Sequence, residues 1–182
     1  MARPGLKEAI LDAAESIVLE SGASRMTLDA VAERADVSKG GLMYHFPSKE
    51  ALLKAMVERL LERHDRLREE IRQKLSPDAS PLEIEINLVK ELFDMDFHLS
   101  SALLAAHANQ PGLLEVFRVK LREQLKKIAP PEHFEHAAIL YFAALGLHTN
   151  ALLGLLVLTK EQRNRVFKEL LHLASAEGLE QW

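Results

Sequence analysis

Apolar residues in this chain recur every three and four positions almost from end to end, and almost nowhere every two. That pattern restricts the fold to helices packed on helices, an all-α architecture. In the first segment Leu6, Ile10, Ala13, Ala14, Ile17 and Val18 make one face, and Gly22 is a natural stop. The second segment is short: Leu28, Val31, Ala32 and Ala35 face one way, with Thr27 placed to cap it. The third runs from Lys39 to Phe46 behind Ser38, and Pro47 ends it by disfavouring helix at the residue before it. Ser48 then starts a long helix over Lys49–Leu75, with Leu53, Met56, Leu60, His64, Leu67, Ile71 and Leu75 in one stripe. At 1.5 Å per residue it spans about 40 Å, more than a small N-terminal unit needs, so it is read as joining two domains. The expected division is 1–53 and 54–182. Beyond the linker Ser76–Pro81, helices are predicted over 81–99, 101–109, 112–128, 132–158 and 160–176, about nine in all. Ser80-Pro81-Leu82-Glu83 and Thr159-Lys160-Glu161-Gln162 read as capping boxes, and Gly178 as a final stop.

Composition bounds the function. Of 182 residues 48% are hydrophobic and 27% charged, a globular balance rather than a disordered one. The absence of cysteine excludes disulfides, thiolate metal sites and a cysteine nucleophile, and suits a reducing compartment, so a cytoplasmic location is expected. Met1 to Glu20 is charged throughout and holds no apolar run of signal-peptide type. Net charge is −4, but residues 1–75 balance thirteen Lys and Arg against thirteen Asp and Glu, whereas residues 76–182 hold ten against fourteen. Any contact with nucleic acid must therefore come from a few placed groups, not from a broad positive field. From Ala137 to Thr159 no residue is charged, long enough to span a bilayer. His148, Thr149 and Asn150 at its centre would be costly in lipid, so the run is read as a buried helix with no membrane partner.

The segments 27–35 and 38–46, joined by Asp36-Val37, have the spacing of a helix-turn-helix. The turn calls for a left-handed backbone, which aspartate supplies at some cost. Val37 then plugs the core between the helices and Ser38 caps the second. Gly40 and Gly41 are poor helix formers whose use here is to let the backbone approach DNA closely in the major groove.

The continuous run Thr27-Leu28-Asp29-Ala30-Val31-Ala32-Glu33-Arg34-Ala35-Asp36-Val37-Ser38-Lys39-Gly40-Gly41-Leu42-Met43-Tyr44-His45-Phe46-Pro47-Ser48-Lys49-Glu50-Ala51-Leu52-Leu53 resembles the DNA-binding domain of the TetR (tetracycline-repressor-like) family, over roughly residues 5–53. The resemblance implies a DNA-binding set in which Thr27 binds a phosphate, Ser38 belongs to the contact surface at the start of the recognition helix, Lys39 and Gly40 lie at base edges, Tyr44 and His45 reach phosphates and sugars, and Lys49 takes another phosphate. Leu42 and Phe46 would be core. Two positions depart from the family pattern. Asp36 replaces the usual glycine, and Met43 stands where an aromatic residue is frequent, though it can still touch a thymine methyl. The resemblance further implies a non-enzymatic, cofactor-free repressor: a homodimer on a palindromic double-stranded operator, released by a small-molecule effector.

In the C-terminal half, small residues of the uncharged run (Ala143, Ala144, Gly146, Ala151, Gly154) allow close helix approach. With Phe167, Leu170 and Leu171 of the next helix they are expected to form half of an intermolecular four-helix bundle. Phe93, Phe97, Phe117, Tyr141 and Phe142, with His98, His107, Asn109, His148 and Asn150, are candidates to line an effector pocket, mainly apolar with a few hydrogen-bonding groups. His148 and Asn150 serve equally well as interface hydrogen-bonding groups. His133 and His136, three apart, are read as a solvated face, not a metal pair. The competing classes are a helical metal-carboxylate enzyme and a helical adaptor that does not bind DNA. The chain shows no paired Glu-x-x-His motif, phosphate-binding glycine loop or nucleophile signature.

Overall fold

The computed structural model describes residues 5–93, 98–106 and 112–175. They form α1 (Leu6–Ser21), α2 (Leu28–Arg34), α3 (Lys39–His45), α4 (Lys49–Lys74), α5 (Pro81–Leu92), α6 (His98–Ala106), α7 (Leu113–Ile128), α8 (Phe134–Leu152) and α9 (Lys160–Ala174). A single 3-10 turn, Pro131–His133, precedes α8, and no strand occurs among the described residues. Gly178 lies outside them.

Most helix starts are fixed by hydroxyl caps. Thr27 Oγ1 accepts the N–H of Ala30 at 3.2 Å, Ser38 Oγ that of Gly41 at 3.0 Å, and Ser48 Oγ that of Ala51 at 3.1 Å. Ser80 with Glu83, and Thr159 with Gln162, close the two predicted capping boxes. Each such cap contributes about 1 kcal/mol.

Two helix ends depart from the prediction. The expected helix over 81–99 stops at Leu92, and a separate α6 begins at His98. The helix expected over 132–158 stops at Leu152 because Gly154 takes φ +69°. There the N–H of Leu155 donates to Asn150 O at 2.8 Å and that of Gly154 to Ala151 O at 3.0 Å, a paired closure that turns the chain away. Gly154 was expected to allow helix approach. Within the protomer a Cβ there meets nothing within 4 Å, and the positive φ by itself accounts for glycine.

The chain divides into two compact units, and α4 and α7 each contribute to both. The first takes in chain up to Leu61 and also His98–Phe117, so the boundary expected at 53/54 misses α6 and the start of α7. Its core explains why: Leu99, Leu103 and Leu113 bury with Ile10, Ala14, Val18, Val31, Leu42, Leu52, Leu53, Met56 and Val57 in one cluster. Arg59 of α4, its side chain 14% exposed, ties α1 down by pairing with Glu8, Asp12 and Glu15. In the second unit α5, α8 and α9 share a core of Leu82, Ile86, Val89, Phe93, Leu140, Tyr141, Ala144, Phe167 and Leu170. Ala144, Phe167 and Leu170, expected at a dimer interface, are thus spent on the protomer's own core. His136, expected on a solvated face, is buried, with Nε2 3.0 Å from Leu173 O, while His133 is exposed.

Candidate nucleic-acid interface

The turn between α2 and α3 is built on Asp36, whose φ of +54° makes it the one non-glycine residue with positive φ among those described. The N–H of Val37 donates to Ala32 O at 3.0 Å and that of Asp36 to Glu33 O at 3.2 Å, closing α2 with the same paired motif that ends α8. Val37 packs against the cluster that holds Val31 and Ala32. The motif re-aims the chain within two residues, so α3 starts at once under the Ser38 cap.

Within α3, Leu42 is fully buried and Phe46, just after it, is 3% exposed. These two, one turn apart, fix the rotation of the helix about its axis. Met43 and Tyr44 are therefore turned out, at 44% and 86% exposure, and Lys39, Gly40 and His45 are exposed as well. The Tyr44 and His45 rings stand edge to face, centroids 5.3 Å apart. A Cβ on Gly41 would press on Ser38 Oγ at 3.2 Å, whereas one on Gly40 meets nothing within 4 Å. Glycine at 41 thus protects the cap, and nothing within the described residues requires glycine at 40. Thr27 is exposed; its oxygen is used by the cap, leaving its O–H free to donate.

The cations of this face are held. Lys39 Nζ lies 2.8 Å from Asp29 Oδ1. Arg34 grips Glu20 through both guanidinium nitrogens at 2.7 and 2.9 Å and also reaches Ser16, and this holds the Glu20 carboxyl down at about 2. Lys49 Nζ donates to Ser24 O at 2.9 Å, leaving two of its three donors, and partial burial lowers its pKa. Both the Asp29 and the Ser24 anchors escaped the sequence reading. Asp29 lies ten residues from Lys39 and only the helix-turn-helix geometry brings them together.

The effector candidates are divided by the fold. Phe93 and His148 meet edge to face at 5.5 Å, Phe93 also packs against Phe167, and Arg163 lies over the Phe93 ring at 4.6 Å. Tyr141 is buried in the same cluster. His98 and Phe117 belong to the other unit, the first exposed and the second packed against that unit's core. Phe142 is 53% exposed, and Asn150 is exposed and bonded to its own Gly146 carbonyl at 2.7 Å, so neither lines an interior. Phe97, His107 and Asn109 lie outside the described residues.

Polar groups that the sequence reading passed over accompany the Phe93–Tyr141–His148 group in the second unit. Arg68 of α4 pairs with the buried Glu85 of α5 and with Asp65, which also takes Lys120 at 2.6 Å. Burial would raise Asp65, but Lys120 and Arg68 outweigh it and lower its pKa. Burial drives His64 down to about 4, helped by His148 and Arg68, and burial lowers His148 too. Burial, then the Glu85 charge, raises Tyr141. Glu85 had a signal: it sits among Leu82, Ile86 and Val89 on the inward face of an otherwise apolar stretch.

Among the described residues no three His, Cys, Asp or Glu side chains are placed to hold a metal ion, and no helix is long and apolar enough to cross a membrane.

Residues 10–56 match the family described as bacterial regulatory proteins, tetR family, and residues 87–175 match the tetracyclin repressor-like C-terminal domain. The HTH-type transcriptional regulator TtgR of Pseudomonas putida is 40% identical over 58 residues, covering 32% of this chain and 28% of TtgR. The HTH-type transcriptional repressor KstR of Rhodococcus jostii is 40% identical over 77 residues, covering 42% of this chain and 34% of KstR. This chain therefore matches about a third of the length of these curated relatives. The solved structure of SCO7518 from Streptomyces coelicolor A3(2), titled a transcriptional regulator, superposes with a TM-score of 0.69 at 26% identity, covering 95% of this chain and 100% of that one. With both halves matched in order and the helices laid out as in that structure, the chain belongs to the TetR family of bacterial regulatory proteins.

Proposed function

We propose that the chain is a DNA-binding transcriptional regulator of the repressor kind, a cytoplasmic homodimer that grips a palindromic operator and is released by a small, mainly apolar effector, with no catalytic activity. The observation that carries the reading is the division of α3: Leu42 and Phe46 anchor it in the core while Gly40, Met43 and Tyr44 stand out from it, with Lys39 and His45 at its flanks. An outward face of that kind suits a helix that enters a major groove, where side chains meet base edges. Thr27 and Lys49 are assigned to phosphates through the donors their internal bonds leave over.

Pairing of protomers is supported by apolar residues left bare on α8 and just beyond it. Ile139, Phe142, Leu153, Leu155 and Val157 are 53 to 91% exposed, with Ala151 and Leu171 half-buried nearby in sequence. Bare apolar surface of this extent marks an association site. The effector is assigned to the second unit, beside Phe93, Tyr141 and His148. Burial disfavours the charged forms of His64 and His148, and the cations Arg68 and Lys120 are already paired with carboxylates, which suits an apolar molecule with one or two hydrogen-bonding groups and disfavours a phosphate.

Selection of bound sequences from random duplexes tests the reading. A palindrome should emerge, and affinity should fall with salt with a log–log slope of about −0.9 per phosphate contact. No enrichment, and no duplex binding even at low salt, would end the proposal. Sedimentation should show a dimer, and Phe142→Glu should yield a folded monomer with much weaker operator binding.

A further inference from the structure

Lys39 is not carried straight outward by α3. At about 100° per residue it lies only about 60° around the helix axis from the buried Leu42, whereas Gly40 and Tyr44 lie nearly opposite. Its side chain leaves α3 on a flank and ends at Asp29 of α2, 2.8 Å away, with both groups more than half exposed. Resting on the DNA-binding reading, we propose that Asp29 is a specificity-determining positioning residue: it holds the Lys39 ammonium at the edge of the recognition face as an oriented donor, not as a free charge.

The reasoning turns on what each partner offers DNA. An ammonium has three N–H donors and Asp29 uses one. On a cognate base pair the other two can meet acceptor groups on the base edge, and the ion pair survives. On unrelated sequence no such acceptors are in place, and the only gain is attraction to phosphate, which the Asp29 carboxylate largely cancels. Asp29 thus withholds non-specific affinity while leaving the specific contact intact. Because exposed ion pairs contribute little to stability, removing this one leaves the fold in place.

The test is a cycle of Asp29→Asn, Asp29→Glu, Lys39→Met and the double variant Asp29→Asn/Lys39→Met. Each is measured on the wild-type selected duplex, on the duplex with each base pair of the half-site replaced, and on unrelated duplex across a salt series. Lys39→Met should abolish preference at one base pair of each half-site. Asp29→Asn should reduce preference at that same base pair about tenfold, raise affinity for unrelated duplex, and steepen its salt slope by about 0.9 per protomer. Asp29→Glu should restore most of the preference, and the double variant should show no further loss at that base pair beyond Lys39→Met alone. If Asp29→Asn shifts affinity for every duplex alike, or if the double variant loses preference additively, Asp29 acts as a charge only and the proposal fails while the DNA-binding reading stands. A wild type that selects no sequence overturns both.

Discussion

Substitutions at Asp36 separate backbone strain from charge at a single position. The left-handed conformation costs an ordinary L-residue about 1–2 kcal/mol, and an aspartate somewhat less. Glycine removes that cost but loses about 0.5–1 kcal/mol through its greater freedom in the unfolded chain. Asp36→Gly should therefore match the parent or exceed it by less than about 1 kcal/mol, while Asp36→Ala should fall about 1 kcal/mol below both. Urea denaturation at constant slope reads this order. The position also carries a charge beside the proposed DNA face. At roughly 10 Å from a phosphate in water that charge opposes binding by about 0.4 kcal/mol per protomer. For a dimer, Asp36→Gly should thus tighten operator binding about fourfold at low salt, fading as the Debye length shrinks. The two readouts are independent. If Asp36→Ala proved as stable as Asp36→Gly, the left-handed turn would not lie at residue 36, and the placement of α3 argued from it would be wrong.

Gly154→Ala should cost about 1 kcal/mol or more through its φ of +69°, read by denaturation. Arg59→Met should cost about 3 kcal/mol, since Glu15 is nearly buried and loses its paired cation; a loss below 1 kcal/mol would refute the bridge between α1 and α4. His64 protonates near 6.5 when unfolded but at about 4 when folded, so the unfolded chain binds more protons in that window and stability falls as pH drops from 6.5 to 4. With solvent screening at a half-buried site the loss is about 2 kcal/mol, and His64→Phe should flatten that part of the stability–pH curve.

What the sequence disclosed follows from how local each signal is. The five hydroxyl caps act across three residues, and all five helix starts (Thr27, Ser38, Ser48, Ser80 and Thr159) are legible in the sequence. The turn at Asp36-Val37 was legible for the same reason. The helix-ending role of Gly154 was not legible because a glycine within an apolar run looks the same whether it serves close packing or a left-handed end; only the bonds of its neighbours show the end. Ala144, Phe167 and Leu170 were misassigned because an apolar stripe does not say which surface covers it, and in this protein α5 takes that place. The pairs Lys39–Asp29, Lys49–Ser24 and Arg68–Glu85 join different helices or loops, so no spacing rule announces them.

The functional face depends on helix phase more than on residue type. In a seven-residue helix, one residue of slippage turns every side chain by about 100°, enough to bury Tyr44 and expose Leu42. Three local devices resist that slip. Ser38 fixes the start by accepting the N–H of Gly41, Leu42 and Phe46 fix the rotation by filling the core, and Asp36 with Val37 fixes the entry direction by closing α2. None of the three is itself assigned a base. The residues that are, Lys39 and Gly40 with Met43 beside them, do little for the fold: Gly40 touches nothing a side chain would disturb, and the Lys39–Asp29 pair is exposed. Support and reading are thus divided between interleaved positions of one short segment. Sequence preference can then change at 39, 40 and 43 with little cost in stability, whereas change at 38, 42 or 46 would cost the fold first. A Leu42→Ala variant should lose roughly 2–5 kcal/mol and its DNA binding together, while Met43→Ala should alter base preference at nearly constant stability.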